Sequence, residues 1–379
     1  GDEHVKAVLD HDAKLMKAAR VSVTEVLDLK ADETMLIITN PERDVQLISK
    51  AIYDAALEVG GRPTIIFQPV KSQLDFAEPA VLNAIRAAPN VILSISHQKL
   101  GKDAEGMKKP YKIGKGKKAR KFEHIYHYHL HGTKKARSFW SPSVTLDMFR
   151  RTVPIDYDRM RRDCAALKRL LDRSAAVRIG APGGTELVMG IGGRKGQSDD
   201  GDFRRRGSGG NIPCGEVYIS PELGATDGTI VFDGSMSVYD GVVVCKTPIT
   251  CDVRDGHVTK VSGKAEAARL RDTIKRGQQS ARKMLKDGMI SKAMADEFER
   301  NATNLGELGI GMNPAARIVG NMLEDEKVMG TCHIAIGANY DDDAKALIHL
   351  DGLIKAPDMW AIGTNGRERK FMEGGVLRL

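Results

Sequence analysis

Leu36-Ile37-Ile38-Thr39, Pro63-Thr64-Ile65-Ile66-Phe67 and Asn90-Val91-Ile92-Leu93-Ser94 are three short apolar runs rich in β-branched residues. Between them lie two stretches with helical spacing, Val45 to Glu58 and Ala77 to Ala88. Gly60-Gly61 ends the first of these, since glycine stops helices. Strand–helix–strand–helix–strand at this spacing predicts a parallel sheet covered by helices. Buried parallel strands read as continuous apolar runs, and all three are expected to be buried. Such sheets host many activities, so this region fixes a fold class and not a function.

Further along, Tyr126 to His131 alternates strictly and predicts a strand with His127, His129 and His131 on one face. Arg150 to Arg173 has a helical apolar stripe of Tyr157, Met160, Cys164, Leu167 and Leu171. After it come short runs bounded by Gly, Pro and Asp, which predict a mainly β region. Helical segments at Ala265–Leu285 and Ser291–Asn301 interrupt it. The expected fold class is α/β: an N-terminal parallel-sheet α/β domain over residues 1–173, then an α+β metal-binding catalytic domain over 174–379.

The chain has 379 residues, 41% hydrophobic and 28% charged, as in ordinary globular proteins. No apolar run approaches the roughly 20 residues of a membrane span, and no apolar leader is visible. The five cysteines have no paired spacing, which favours free thiols and a reducing cytoplasm. The net charge of +8 is concentrated in residues 101–137. A basic block of this kind could bind a polyanion such as RNA, a non-enzymatic reading. No nucleic-acid-binding fold accompanies it, so a solvated loop is expected and nucleic acid is not the expected partner.

The chemistry concentrates near the C-terminus. His349 and Asp351 alternate along a strand and therefore point to one face. A neighbouring strand carrying His333 would complete a three-point metal socket. Glu216 and Glu307 each follow a glycine and begin an apolar run, where an unpaired carboxylate is costly. Together they make five candidate ligands, enough for two metals. Imidazole with carboxylate suits Zn, Mn, Co or Fe without choosing among them. Asp202 and Arg204, in a charged stretch, are weaker candidates for binding the ends of a substrate.

Five ordered segments carry a family resemblance. They are GGNIPCGEVYISP (209–221), GTIVFDG (228–234), NLGELGIGMNP (304–314), DEKVMGTCHIAIGANY (325–340) and IHLDGL (348–353). They resemble the thermophilic leucyl aminopeptidases, the aminopeptidase T family of metallopeptidases. The resemblance implies a homodimeric metalloaminopeptidase acting on small peptides. Two divalent ions, Zn, Co or Mn, would be held by Glu216, Glu307, His333, His349 and Asp351. Metal pairs of this kind activate a bridging water and polarise a carbonyl. Glu216 or Glu307 would serve as base, and Tyr340 would donate to the oxyanion. The same fold family is similar to ring-opening dioxygenases of dihydroxypyridines, which use one Fe(II). Those need only His333, His349 and Asp351, two imidazoles and one carboxylate with open positions for O2. Glu216 and Glu307 are the residues expected to discriminate, and their presence favours the hydrolase.

Overall fold

A computed structural model describes residues 12–72 and 74–379. The chain forms two compact units, one of residues 1–157 and 201–214 and the other of 158–200 and 215–379. They part at 157/158 rather than at 173/174. The Tyr157–Leu171 helix is tied into the second unit at its end, where Asp172 accepts the Gly196 N–H at 2.7 Å. Its stripe of Tyr157, Met160, Cys164, Leu167 and Leu171 is fully buried.

The first unit holds a five-stranded parallel sheet. Its order is Gly209–Asn211, Arg137–Trp140, Val91–Ile95, Thr34–Thr39 and Arg62–Phe67. Ile37, Ile38 and Leu93 have no exposed surface. The Arg43–Glu58 helix buries Val45, Ile48, Ala51, Ile52 and Ala55, the i, i+3, i+4 stripe expected of a covering helix. One expectation fails at the edge. Arg62–Phe67 is half exposed, because it is the outermost strand. Pro63 suits that place, having no N–H for a further neighbour.

Tyr126–His131 is helical, not a strand. Ile125–His127 is a helical turn, and Tyr128–Gly132 continues it as one turn of π-helix. His124 Nδ1 caps it by accepting the Tyr126 N–H at 3.1 Å. Over six residues, alternation also satisfies i, i+4 pairing. Tyr126 and Leu130 are buried, and the His127 and His131 rings stack at 5.9 Å.

The second unit is built on two antiparallel sheets. The seven-stranded one runs Gly241–Val244, Ser235–Val238, His349–Lys355, Thr331–Gly337, Leu305–Gly311, Glu216–Ile219 and Gln197–Asp199. The eight-stranded one includes Thr226–Phe232, Ala176–Gly180 and Asp358–Ile362. Leu305–Gly311 and Thr331–Gly337 are buried at every position. Among the described residues, no helix is long and apolar enough to cross a membrane.

Candidate metal centre

Strand register places the acidic and imidazole side chains together. Asp351 lies opposite Ala335, and Ala335 opposite Glu307, so two carboxylates lie in one row across three strands. His333 is two residues before Ala335 and His349 two before Asp351, which keeps both on that row's face. A bulge between Leu305 and Glu307 re-aims the glutamate. Glu216 enters from the next strand, opposite Gly311.

The resulting contacts are close. His333 Nε2 lies 3.1 Å from Glu307 Oε1 and 3.4 Å from Glu216 Oε2. His349 Nε2 lies 3.3 Å from Asp351 Oδ1 and 3.5 Å from Glu307 Oε2. Three donor groups fall within 4.8 Å: Glu216–Glu307–His333, Glu307–His349–Asp351 and Glu326–His333–Asp351. Glu307 and Asp351 each share a group with both imidazoles. All five sequence-derived ligands are therefore brought together, and Glu326 joins them.

Several of these atoms want a cation. Glu216 Oε2, Glu307 Oε2 and Asp351 Oδ1 are buried and lack any hydrogen-bond partner. Buried polar atoms are rarely left so, because each costs roughly 1–3 kcal/mol. His349 Nδ1 is 2.8 Å from the Ala338 carbonyl, which can only accept. That fixes the proton on Nδ1 of the neutral ring and leaves the Nε2 lone pair for a metal. The donor set fits a divalent ion.

Sequence reasoning missed two features. Lys327 is fully buried, and its ammonium pairs with Glu216 at 2.7 Å and also with Glu326. The lysine lies inside a quoted segment, but a lysine in sequence reads as surface. The other feature is Gly309, which faces His333 across the strands. A Cβ there would come within 1.9 Å of His333 Nε2, so only glycine leaves room for the ring. Tyr340 packs its ring 5.1 Å from His349 and 5.5 Å from Tyr218, and is 63% exposed. Asp202 and Arg204 bond to each other at 2.6 Å on the surface and join none of the donor groups.

Charges follow from these contacts. Burial works to raise Glu216, but the Lys327 ammonium and His333 hold it low. Burial raises Glu326 to about 8, against the pull of Lys327. Burial raises Glu307, and the nearby Asp351 charge adds to the rise. Burial opposes ionisation of Asp351 too, yet His349 holds it down at about 2.

Comparison with known proteins matches residues 143–339, just over half of the chain, to the family described as NicX: 2,5-dihydroxypyridine 5,6-dioxygenase. The chain belongs to that family. The match spans Glu216, Glu307 and His333 and ends before Tyr340, His349 and Asp351. A 2,5-dihydroxypyridine dioxygenase from Pseudomonas putida KT2440 is similar with a TM-score of 0.68 at 15% identity, covering 96% of each chain. Wild-type AmpT from Thermus thermophilus is similar with a TM-score of 0.64 at 16% identity, covering 97% of this chain and 100% of that one. At such identities the likeness shows the shared α/β fold. No curated protein matches the chain.

These findings correct the aminopeptidase expectation. The family is that of an oxidoreductase, not a hydrolase, although AmpT shares the fold. The expectation rested on Glu216 and Glu307 as marks of a second metal. Glu216 has another reason to be there, since it neutralises a buried lysine.

Proposed function

We propose that this protein is a mononuclear Fe(II) dioxygenase that opens a hydroxylated N-heteroaromatic ring. The observation that carries the single-metal reading is the charge balance of the donor cluster. Glu216 is neutralised by Lys327, and Glu326 at about 8 keeps its proton at neutral pH. Against burial, the carboxylates raise the pKa of both His333 and His349, so a divalent ion would displace the two imidazolium protons and leave two negative charges, on Glu307 and Asp351. One divalent cation balances them, and a second would sit uncompensated in a buried site.

Asp351, His349 and His333 would hold the ion, with Asp351 in a donor group with each imidazole. Iron in such a set supplies activation of O2 beside the ring. The protein's own part is positioning. His349 is oriented by the Ala338 carbonyl and His333 by the gap over Gly309. Tyr340 and Tyr218 offer aromatic faces beside His349 for a planar substrate. Glu307, raised by burial, is placed to take the proton of a ring hydroxyl.

The test is metal content with oxygen uptake. Purified protein should hold one iron per chain and consume O2 when given 2,5-dihydroxypyridine. Two metals per chain with no oxygen uptake on hydroxypyridines would reject the proposal.

A further inference from the structure

A cavity of about 460 Å³ lies wholly within the first compact unit. It opens at the carboxyl ends of three neighbouring parallel strands. Ser94 and Ser96 are at the end of Val91–Ile95, Trp140 ends Arg137–Trp140, and Asn211 ends Gly209–Asn211. Open parallel sheets bind ligands at that end. None of the lining residues belongs to the metal-donor groups.

The cavity presents several donors. Ser94 Oγ and Ser96 Oγ lie 2.8 Å apart and are 5% and 2% exposed. One hydroxyl proton joins the pair, and the other has no acceptor among the described residues. Lys99 and Lys102 line the same cavity, and among the described residues none of the lining is acidic. Neither lysine forms an ion pair among the described residues. Lys102 Nζ instead lies 5.1 Å from the centre of the Phe76 ring. The nearby Asp75 carboxylate is turned onto the Ser72 N–H at 2.7 Å. Two acceptors in the wall are engaged: Gly101 O by His124 Nε2 at 3.1 Å, and Trp140 O by Asn211 Nδ2 at 3.0 Å. A ligand that brings acceptors and negative charge suits the serine pair and the two lysines.

The remaining wall is aromatic. Trp140 and Tyr126 meet edge to face at 6.1 Å, and Tyr126 meets His127 in the same way at 5.3 Å. Tyr126 is held in place by Ser138. Such a surface accepts the face of a flat ring.

We propose that this cavity binds a small planar aromatic carboxylate, its ring against Trp140 and Tyr126 and its carboxylate on the Ser94–Ser96 pair, Lys99 and Lys102. This site is built from different residues than the metal centre and does not depend on the dioxygenase reading.

The chain has two tryptophans, so Trp360→Phe leaves Trp140 as the sole emitter. In that background, Trp140 fluorescence is titrated with benzoate, benzamide and inorganic phosphate, with saturation-transfer NMR as the second readout. Benzoate should bind saturably, with benzamide and phosphate at least about tenfold weaker. Lys99→Ala with Lys102→Ala should weaken benzoate about tenfold or more. Asp351→Ala should leave its affinity unchanged. Lys99→Ala alone, at an exposed position, serves if the double variant does not fold. Absence of benzoate binding by both readouts overturns the proposal. Equal binding of benzamide shows that charge is not read, and equal binding of phosphate that the ring is not read; either also overturns it. Loss of benzoate binding in Asp351→Ala would assign the ligand to the metal centre and overturn a separate site.

Discussion

At one end of the donor cluster, Glu216 and Glu326 face the ammonium of Lys327; at the other, Glu307 and Asp351 face only imidazoles. The residue types are alike, and all but Glu326 are buried. Their chemistry differs because their counter-charges differ. Glu216 Oε1 is held by a fixed ammonium, whereas Glu307 and Asp351 touch no Lys or Arg; Glu216 Oε2 is left unbonded, as are Glu307 Oε2 and Asp351 Oδ1. On the single-metal reading proposed above, counting acidic ligands overestimates the number of metals.

The most forceful way to break this contrast is Asp351→Ala. Losing even an outer partner of a metal ligand costs about 10–100-fold. Losing the carboxylate shared by both imidazoles should therefore remove bound iron and lower oxygen uptake on the order of a thousandfold. Elemental analysis and an oxygen electrode report the two effects, and retained iron would mean that Asp351 is not a ligand.

Lys327→Met tests the opposite end. Breaking a buried pair from one side costs about 3–5 kcal/mol, which urea unfolding would register. With Glu216 freed, added Mn or Zn should bring the metal content from one toward two per chain. A ratio held at one, with stability unchanged, would contradict the role assigned to the lysine.

Gly309→Ala probes the room given to His333. The added methyl would come within 1.9 Å of His333 Nε2 as the ring now stands, so the ring must move and metal affinity should fall about 10–100-fold while the sheet persists. Circular dichroism beside a metal-competition titration separates these outcomes.

A purely structural pair gives the control. Arg137, 4% exposed at its side chain, grips Glu33 with two hydrogen bonds in the first unit. The Arg137 bond lowers the Glu33 pKa against the burial that would raise it. A carboxylate with a lowered folded pKa adds stability above its unfolded value, about 4.3, and loses it as pH falls through the folded value. Glu33→Gln should cost about 2 kcal/mol at pH 7 and progressively less below about pH 4, with iron content unaltered. Tyr340→Phe should have the smallest effect, within about threefold in turnover, since the ring face is kept. An oxyanion donor of the peptidase type would instead lose about 3 kcal/mol.

Much of this was legible in the sequence. Apolar runs separated by helical stripes gave the parallel sheet, because periodicity reports burial directly. The alternation in His349-Leu350-Asp351 and the costly apolar settings of Glu216, Glu307 and His333 pointed to one buried cluster. Where two periods fit a short segment, the sequence was ambiguous. Tyr126–His131 could pair residues as a strand or at i, i+4, and packing of Tyr126 and Leu130 chose the helix.

The sequence by itself determined that the chain is α/β, that its donors are imidazole and carboxylate, and which five residues would gather. Only the tertiary structure decided how their charges are compensated. Lys327 is 111 positions from Glu216 along the chain yet 2.7 Å away in space. Electrostatic energy depends on that distance and on burial, and neither is written in local sequence pattern.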